Sequence, residues 1–189
     1  KKSLELANVG YDLLDRKRNI LIRETMGLID SAADIRSRIA ESYRVAYQAL
    51  EEANMSMGIV DEFAAFVPVE NGRTISSRSV MGVEIPTVSL DPVPTDNYFG
   101  FRRTTAKLDE AYRRFNEVKQ LTAELAQTEN SVYRLATGIK KAQKRANALK
   151  NIIIPRFEEQ VKTITSALDE KDREEFSRLK VIKSFIDED

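Results

Sequence analysis

Carboxylates are concentrated near the C-terminal end of the chain, at residues 169–175. Oxygen ligands at this density could hold a divalent cation. The alternative is a solvated helix on which acidic and basic side chains four positions apart form ion pairs. Three such pairs are available: Asp169 with Arg173, Lys171 with Glu175, and Glu174 with Arg178. We favour the ion pairs and predict no metal site.

Other kinds of catalysis lack their usual residues. The sequence contains no cysteine and no histidine, which excludes disulfides, thiolate nucleophiles, histidine bases and the common zinc sites. Gly10, Gly27 and Gly138 stand singly in helical patterns, where they favour close packing and do not form a phosphate-binding loop. We therefore predict no cofactor and no catalytic residue, and a nucleotide-processing enzyme is disfavoured.

The charges balance, because Lys and Arg number 30 and Asp and Glu number 30. This balance gives no reason to expect nucleic acid or an anionic membrane as a partner, so charge can act only through a local surface. No apolar run approaches the roughly 18 residues of a membrane span, and no signal peptide opens the chain. These features predict a cytoplasmic protein without direct membrane insertion.

Apolar residues three and four positions apart predict two long helices. The first runs from Leu4 to about Met57, with apolar or small residues at Leu6, Val9, Leu13, Ile20, Leu28, Ala32, Ile35, Ile39, Ala46 and Ala49. The second begins near Arg103, and its seam is Leu121, Leu125, Thr128, Val132, Leu135, Ile139, Ala142, Ala146, Leu149 and Ile153. A repeat of this period predicts a left-handed supercoil.

The stretch between the helices carries turn signals and β-branched runs. Asn71-Gly72, between residues 66–69 and Thr74-Ile75, predicts a type I′ hairpin, and a second extended run covers residues 80–85. We predict an N-terminal helix at residues 1–57, a β-hairpin head with loops at 58–102 and a C-terminal helix at 103–189. Together these form one structural unit.

Each long helix exposes a seam that the other can cover. The predicted fold is therefore mainly α, a long antiparallel two-helix left-handed coiled coil with a small β-hairpin head inserted in the middle. With the reversal near Met57 and Arg103, the numbers of paired residues add up to about 160, which leaves the C-terminal end of the chain without a partner in it. Pro155 either bends a continuous helix or separates two helices. Because the apolar phase continues through Val161 and Ile164, we favour a bent, continuous helix.

This pairing brings basic residues of both helices to one level. They are Arg16, Lys17, Arg18, Lys140, Lys141, Lys144 and Arg145, which we call the basic belt. Because both helices are basic here, they cannot neutralise each other, and the belt could face an acidic partner. The alternative is that the side chains extend into water. The sequence leaves both interpretations open.

Three segments have a recognisable pattern: residues 10–21 (GYDLLDRKRNIL), residues 144–149 and 152–158 (KRANAL and IIIPRFE), and residues 168–180 (LDEKDREEFSRLK). In order and spacing they resemble the D subunit of the rotary V-type ATPases, a family with vacuolar and archaeal or bacterial A/V-type members. Residues 79–83 resemble the family's β-hairpin head, and the likeness spans nearly the whole chain. The family's run of arginines is thinned before Asn147, Ala146 replaces a β-branched residue, and Lys150 stands where an acidic residue is common.

The resemblance implies a non-catalytic central-stalk rotor subunit, which is not an enzyme by itself. It implies torque transmission between ATP hydrolysis or synthesis in a catalytic head and proton or sodium translocation in a membrane ring. The implied partners are the A and B subunits of the head, the small F subunit and a socket subunit linked to the ring, with a cytoplasmic location peripheral to the membrane. Candidate interface residues are the basic belt with Asn147, Pro155, Arg156, Arg178, Lys180 and Lys183.

A prefoldin-like coiled-coil chaperone or a static coiled-coil scaffold is the alternative function. A prefoldin-like protein also places β-hairpins between the two helices of an antiparallel coiled coil. That class would explain the architecture, but it would leave the three matching segments unexplained.

Overall fold

Long helices dominate the computed structural model, which describes residues 1–67, 72–90 and 104–186. The helices are α1 (Lys2–Met57), α2 (Asp61–Ala64), α3 (Ala106–Ala148) and α4 (Ile154–Ile186), with a π-helical turn (Leu149–Ile153) joining α3 to α4. Strands β1 (Arg73–Val80) and β2 (Val83–Leu90) form a two-stranded antiparallel sheet. The predicted fold class is confirmed: the chain is mainly α, with a β-hairpin between its long N-terminal and C-terminal helical segments.

The chain divides into two compact units. The terminal unit contains Lys1–Asn19 and Lys140–Asp189, and the central unit contains Ile20–Ile139. Each unit contains a stretch of α1 paired with a stretch of the C-terminal helical segment.

Contacts in the central unit show that its paired helices run antiparallel. The Lys107 ammonium lies 3.5 Å from the Glu52 carboxylate and the Arg36 guanidinium lies 2.6 Å from the Glu129 carboxylate, so the residue numbers fall along α3 as they rise along α1. In the terminal unit, the Lys150 ammonium lies 5.7 Å from the centre of the Tyr11 ring. In each pair the residue numbers add up close to the predicted sum, as an antiparallel pairing of α1 with the C-terminal segment requires.

The predicted seam of the second helix is confirmed. Every position predicted for it, from Leu121 to Ile153, is buried or half-buried, and Leu135 is fully enclosed. Thr128 is the one polar member of that predicted set. Its hydroxyl donates a 2.9 Å hydrogen bond to the carbonyl oxygen of Glu124, so the seam admits it without leaving a buried donor unpaired.

The predicted seam of α1 is right from Leu28 onward and wrong before it. The four earlier positions are exposed: Leu6, Val9, Leu13 and Ile20. The buried and half-buried positions lie one residue further along, at Ala7, Gly10, Leu14 and Leu21. Small side chains let the helices approach closely, so Ala7 and Gly10 face the partner helix while larger aliphatic residues lie outside.

The hairpin turn is Met81-Gly82, where φ is 49° and 74°. Positive φ at both central residues is the type I′ geometry that matches the twist of two antiparallel strands. The predicted pairing around Asn71-Gly72 is wrong for its second strand, because Thr74 and its neighbour belong to β1 and pair with β2. Residues 68–71, on the other side of that predicted turn, lie outside the described residues.

The hairpin packs on the helix pair of the central unit through its turn end. Ile85 is buried in a cluster with Leu21 and Leu135. A Cβ atom added at Gly138 would lie 2.7 Å from the Val83 Cγ2 atom, so glycine is what lets β2 approach α3. The close-packing prediction is therefore confirmed at Gly138. It is wrong at Gly27, where a Cβ would meet nothing within 4 Å.

The helix continues through Pro155, as predicted, by means of the π-helical turn. The Ile154 N–H donates to the Leu149 carbonyl oxygen, five residues back. In an α-helix the proline ring would crowd the carbonyl four residues before it, and one hydrogen bond would be lost. The wider turn places an extra residue immediately before the proline, which is a recognised way for a helix to admit one. The predicted bend at this position stays a prediction.

The apolar phase continues past the proline as far as Val161. Half-buried positions around the proline include Leu149, Ile153, Ile154, Phe157 and Val161. Ile164, which was predicted to continue the phase, is 60% exposed. From residue 166 to residue 183, every side chain is exposed. This exposure is what the predicted register requires of residues that extend past the end of the paired stretch of α1.

Candidate partner interface

All predicted interface residues belong to the terminal unit. Arg16, Lys17 and Arg18 lie on α1, residues 140–147 lie on the last turns of α3, and Pro155 and the basic residues after it lie on α4. Because these elements pair antiparallel, the two halves of the basic belt come from neighbouring stretches of one helix pair.

Most of the basic belt is open to solvent. Arg16, Lys140, Lys141, Lys144 and Arg145 are exposed, whereas Lys17 and Arg18 are half-buried. Among the described residues, Arg18 alone in the belt forms an ion pair, in which its guanidinium lies 2.6 Å from the Asp15 carboxylate. This ion pair lies within α1, so it leaves untested the expectation that the two helices do not neutralise each other.

Asp15 and Asn19 hold Arg18 against its own helix. The Asn19 amide donates a 3.2 Å hydrogen bond to Asp15, and its oxygen accepts one of 3.5 Å from the Arg18 guanidinium. These contacts neutralise the charge of Arg18 inside α1. The cations available to an outside partner are the five exposed members of the belt.

A contact that the sequence did not single out links α1 to the π-helical turn. The Lys150 ammonium lies 5.7 Å from the centre of the Tyr11 ring, within the range of a cation–π interaction. An acidic residue at this position could not make such a contact with the ring face. Lys150 therefore has a structural role inside the terminal unit.

The basic residues of α4 are exposed, and two of them have an acidic neighbour. Arg178 lies 3.8 Å from Glu174, as predicted, and Arg173 lies 3.9 Å from Glu170, not from the predicted Asp169. Positions three and four apart share a helix face, so either acidic neighbour was available to Arg173. Among the described residues, no group of acidic side chains is arranged to hold a metal ion.

Arg156, Lys180 and Lys183 are also exposed, and within the described part of the chain they form no ion pair. Asn147 and Pro155 are exposed as well. The candidate residues, all exposed except Lys17 and Arg18, therefore belong to one unit, but within the described residues no hydrogen bond joins one of them to another.

Large apolar side chains lie exposed on the same elements, and sequence reasoning assigned them to seams. On α4 they are Ile164, Leu168, Phe176, Leu179 and Ile182. Exposed apolar residues repeated along one helix mark a surface that another protein covers. Their helical spacing was the available signal, but a seam facing a second chain has the same pattern as a seam facing α1.

None of the helices in the described part of the chain contains a stretch long and apolar enough to span a membrane.

Comparison with known proteins gives a match along nearly the whole chain. A family model described as the D subunit of ATP synthase matches residues 1–184. The chain is 42% identical over 188 residues to the V-type ATP synthase D subunit of Thermotoga neapolitana, a match that covers 98% of this chain and 93% of the relative. It is 37% identical over 192 residues to the A-type ATP synthase D subunit of Methanobrevibacter smithii, with coverages of 99% and 83%. The A-type protein of Thermococcus sibiricus is 35% identical over 192 residues, with coverages of 99% and 90%.

Proposed function

Because this chain belongs to the family of ATP synthase D subunits, we propose that it is the non-catalytic central-stalk subunit of a V/A-type rotary ATPase. In this role it transmits torque between ATP hydrolysis or synthesis in the catalytic head and proton or sodium translocation in the membrane ring. The match over residues 1–184 is the observation that carries the proposal.

The helical elements suit a shaft. A rotor has to carry torque without unwinding, and α3 passes into α4 through the π-helical turn without a break in helical structure. The long seam of α3 gives it a paired helix along much of its length, and paired helices resist twisting better than one helix alone.

The exposed apolar face of α4 supports contact with the catalytic head. Phe176, Leu179 and Ile182 lie in water in the isolated chain, at a cost that a surrounding apolar surface would remove. We assign this face to the bore formed by the A and B subunits of the head. The small F subunit and the socket subunit of the membrane ring are the remaining partners, and the complex places the chain at the cytoplasmic side, peripheral to the membrane.

The exposed part of the basic belt is assigned to an acidic surface of the catalytic head. Like charges on both helices, without carboxylates to balance them in the described residues, favour a negative partner surface and faster association with it. The triple variant Arg16→Glu, Lys144→Glu and Arg145→Glu should bind the head at least tenfold more weakly at physiological salt. A control variant with three reversed charges in the central unit, Arg23→Glu, Arg38→Glu and Arg113→Glu, should bind as the unmodified chain does. Equal binding by all three proteins would remove the belt from the interface.

The proposed function is tested by rotation. The head is fixed to a surface, and a bead is attached to the full chain through a cysteine introduced at Met55, since the sequence has no other cysteine. Addition of ATP should turn the bead in one direction. Failure to co-purify with the hexameric head, combined with capture of unfolded client proteins, would favour the prefoldin-like alternative.

A further inference from the structure

Two residues at the start of the π-helical turn contact α1. A Cβ atom added at Gly10 would lie 3.7 Å from the Leu149 Cδ1 atom, so the α1 backbone passes close to this side chain. The next residue, Lys150, places its ammonium 5.7 Å from the centre of the Tyr11 ring. Neighbouring residues of α1 therefore meet neighbouring residues of the turn, and all four belong to the terminal unit.

Pro155 requires a distortion of the helix before it, but it does not select which one. A helix can admit a proline by a kink or by a widened turn that accommodates one extra residue. Each of these relieves the crowding between the proline ring and the carbonyl group four residues earlier. This chain has the widened turn, closed by the hydrogen bond from the Ile154 N–H to the Leu149 carbonyl oxygen. A determinant other than the proline therefore has to favour it over a kink.

The contact between Lys150 and Tyr11 is suited to supply that preference. Lys150 lies inside the turn, so its direction differs between a helix with the extra residue and a helix without it. A contact that exists in only one of two arrangements shifts the balance toward that arrangement. The Tyr11 ring is half-buried, and within the described residues the Lys150 ammonium has no carboxylate partner that would hold it elsewhere.

We propose that Tyr11 and Lys150 are positioning residues that keep the extra residue in the turn and thereby fix the orientation of α4 around its axis. Without the extra residue, α4 would be rotated by one residue's share of a turn and advanced by about 1.5 Å. The exposed apolar face with Phe176, Leu179 and Ile182 would then point in another direction. The consequence for torque rests on the proposed function, whereas the orientation itself is a property of the chain alone.

Distances between two spin labels in the full chain test the proposal. The labels are attached to cysteines introduced at Gln143 on α3 and Glu159 on α4, both exposed, in a sequence without native cysteine. Loss of the extra residue should lengthen the distance between the labels by about 4 Å, because the helix then separates them further around and along its axis. Pulsed electron paramagnetic resonance resolves a shift of this size.

Tyr11→Ala and Lys150→Gln should each raise the ratio of the longer-distance to the shorter-distance population at least twofold, since one exposed cation–π contact changes a population ratio by roughly two- to fivefold. Lys150 is exposed, so its variant keeps the fold even if Tyr11→Ala does not. Tyr11→Phe and Lys150→Arg retain the ring and the cation and should keep the distances of the unmodified chain. Tyr133→Ala removes a ring that is 73% exposed in the central unit and is the matched control.

An unchanged distance distribution in Lys150→Gln would overturn the proposal. So would an equal change in Tyr133→Ala, or in the conservative variants Tyr11→Phe and Lys150→Arg, because a general loss of packing would then explain the shift. The bead assay on the unmodified chain separates this proposal from the proposed function. If the bead does not turn while the label distances change as expected, the proposed function fails and the positioning role stands. If the bead turns while the label distances are unchanged, the positioning role fails and the proposed function stands.

Discussion

A methyl group added at Gly138 tests the contact between α3 and Val83, through which the β-hairpin packs on the helix. In the variant Gly138→Ala, the new Cβ would lie 2.7 Å from the Val83 Cγ2 atom, closer than side-chain carbon atoms pack. Two effects then oppose each other. Alanine in a helix interior is favoured over glycine by about 1 kcal/mol, whereas overpacking a well-filled contact costs about 1–3 kcal/mol.

Gly27→Ala is the matched control, because it lies in α1 and its added Cβ would meet nothing within 4 Å. It should raise the free energy of unfolding by about 1 kcal/mol. Gly138→Ala receives the same helical gain, so the difference between the two variants is the steric term alone. We expect Gly138→Ala to be about 1–3 kcal/mol less stable than Gly27→Ala.

The assay is urea unfolding followed by circular dichroism at the helical band, with amide hydrogen exchange of β2 measured in parallel. The exchange of β2 amides should accelerate in Gly138→Ala and not in Gly27→Ala, because only the former displaces the hairpin. Adding Val83→Ala to Gly138→Ala should recover part of the loss by removing the opposing methyl groups. Equal stability of Gly138→Ala and Gly27→Ala would show that the contact with Val83 carries no steric cost.

Three further outcomes follow from single residues. Leu135→Ala should lower the free energy of unfolding by about 2–5 kcal/mol, whereas Leu6→Ala should change it little, because Leu135 is fully buried and Leu6 is 73% exposed; urea unfolding distinguishes them. Met81→Gly should slow exchange of the β2 amides, since a residue other than glycine at positive φ costs about 1–2 kcal/mol. The Arg44 guanidinium hydrogen-bonds to Glu41 and holds the pKa of that carboxyl below its ordinary value, so NMR titration of Arg44→Gln should show a higher Glu41 pKa. Because the folded pKa is the lower one, the pair stabilises the fold above the unfolded pKa, and this contribution is lost as the pH falls through the folded pKa.

The sequence predicted the helices and the α3 seam well because one mechanism governs both. Apolar residues three and four positions apart lie on one face of a helix, and a second helix alongside it buries that face. The prediction was wrong in the first turns of α1, where either of two neighbouring lines of residues could have faced the partner helix. Leu6 and Val9 are more hydrophobic than Ala7 and Gly10, but close helix contact selects for small size, which a hydrophobic pattern does not measure.

The hairpin and the interface were harder to predict for different reasons. Asn-Gly is the stronger local turn signal, but the observed turn is Met81-Gly82, which tertiary packing of Val83 and Ile85 favours over local preference. The five exposed residues of the basic belt fit both interpretations of the sequence, whereas the ion pair of Arg18 with Asp15 depends on side-chain geometry that a sequence pattern does not give.

The π-helical turn determines which way the apolar face of α4 is oriented around the helix axis. One extra residue turns everything after it by about 100° around the helix axis. The α4 face that carries Phe176, Leu179 and Ile182 therefore points in a direction that Leu149–Ile153 determines. Removing one residue from this turn would leave the helix continuous but rotate the apolar face of α4 by about 100° relative to α3. That face would then be turned away from the surface of the catalytic head to which we assign it.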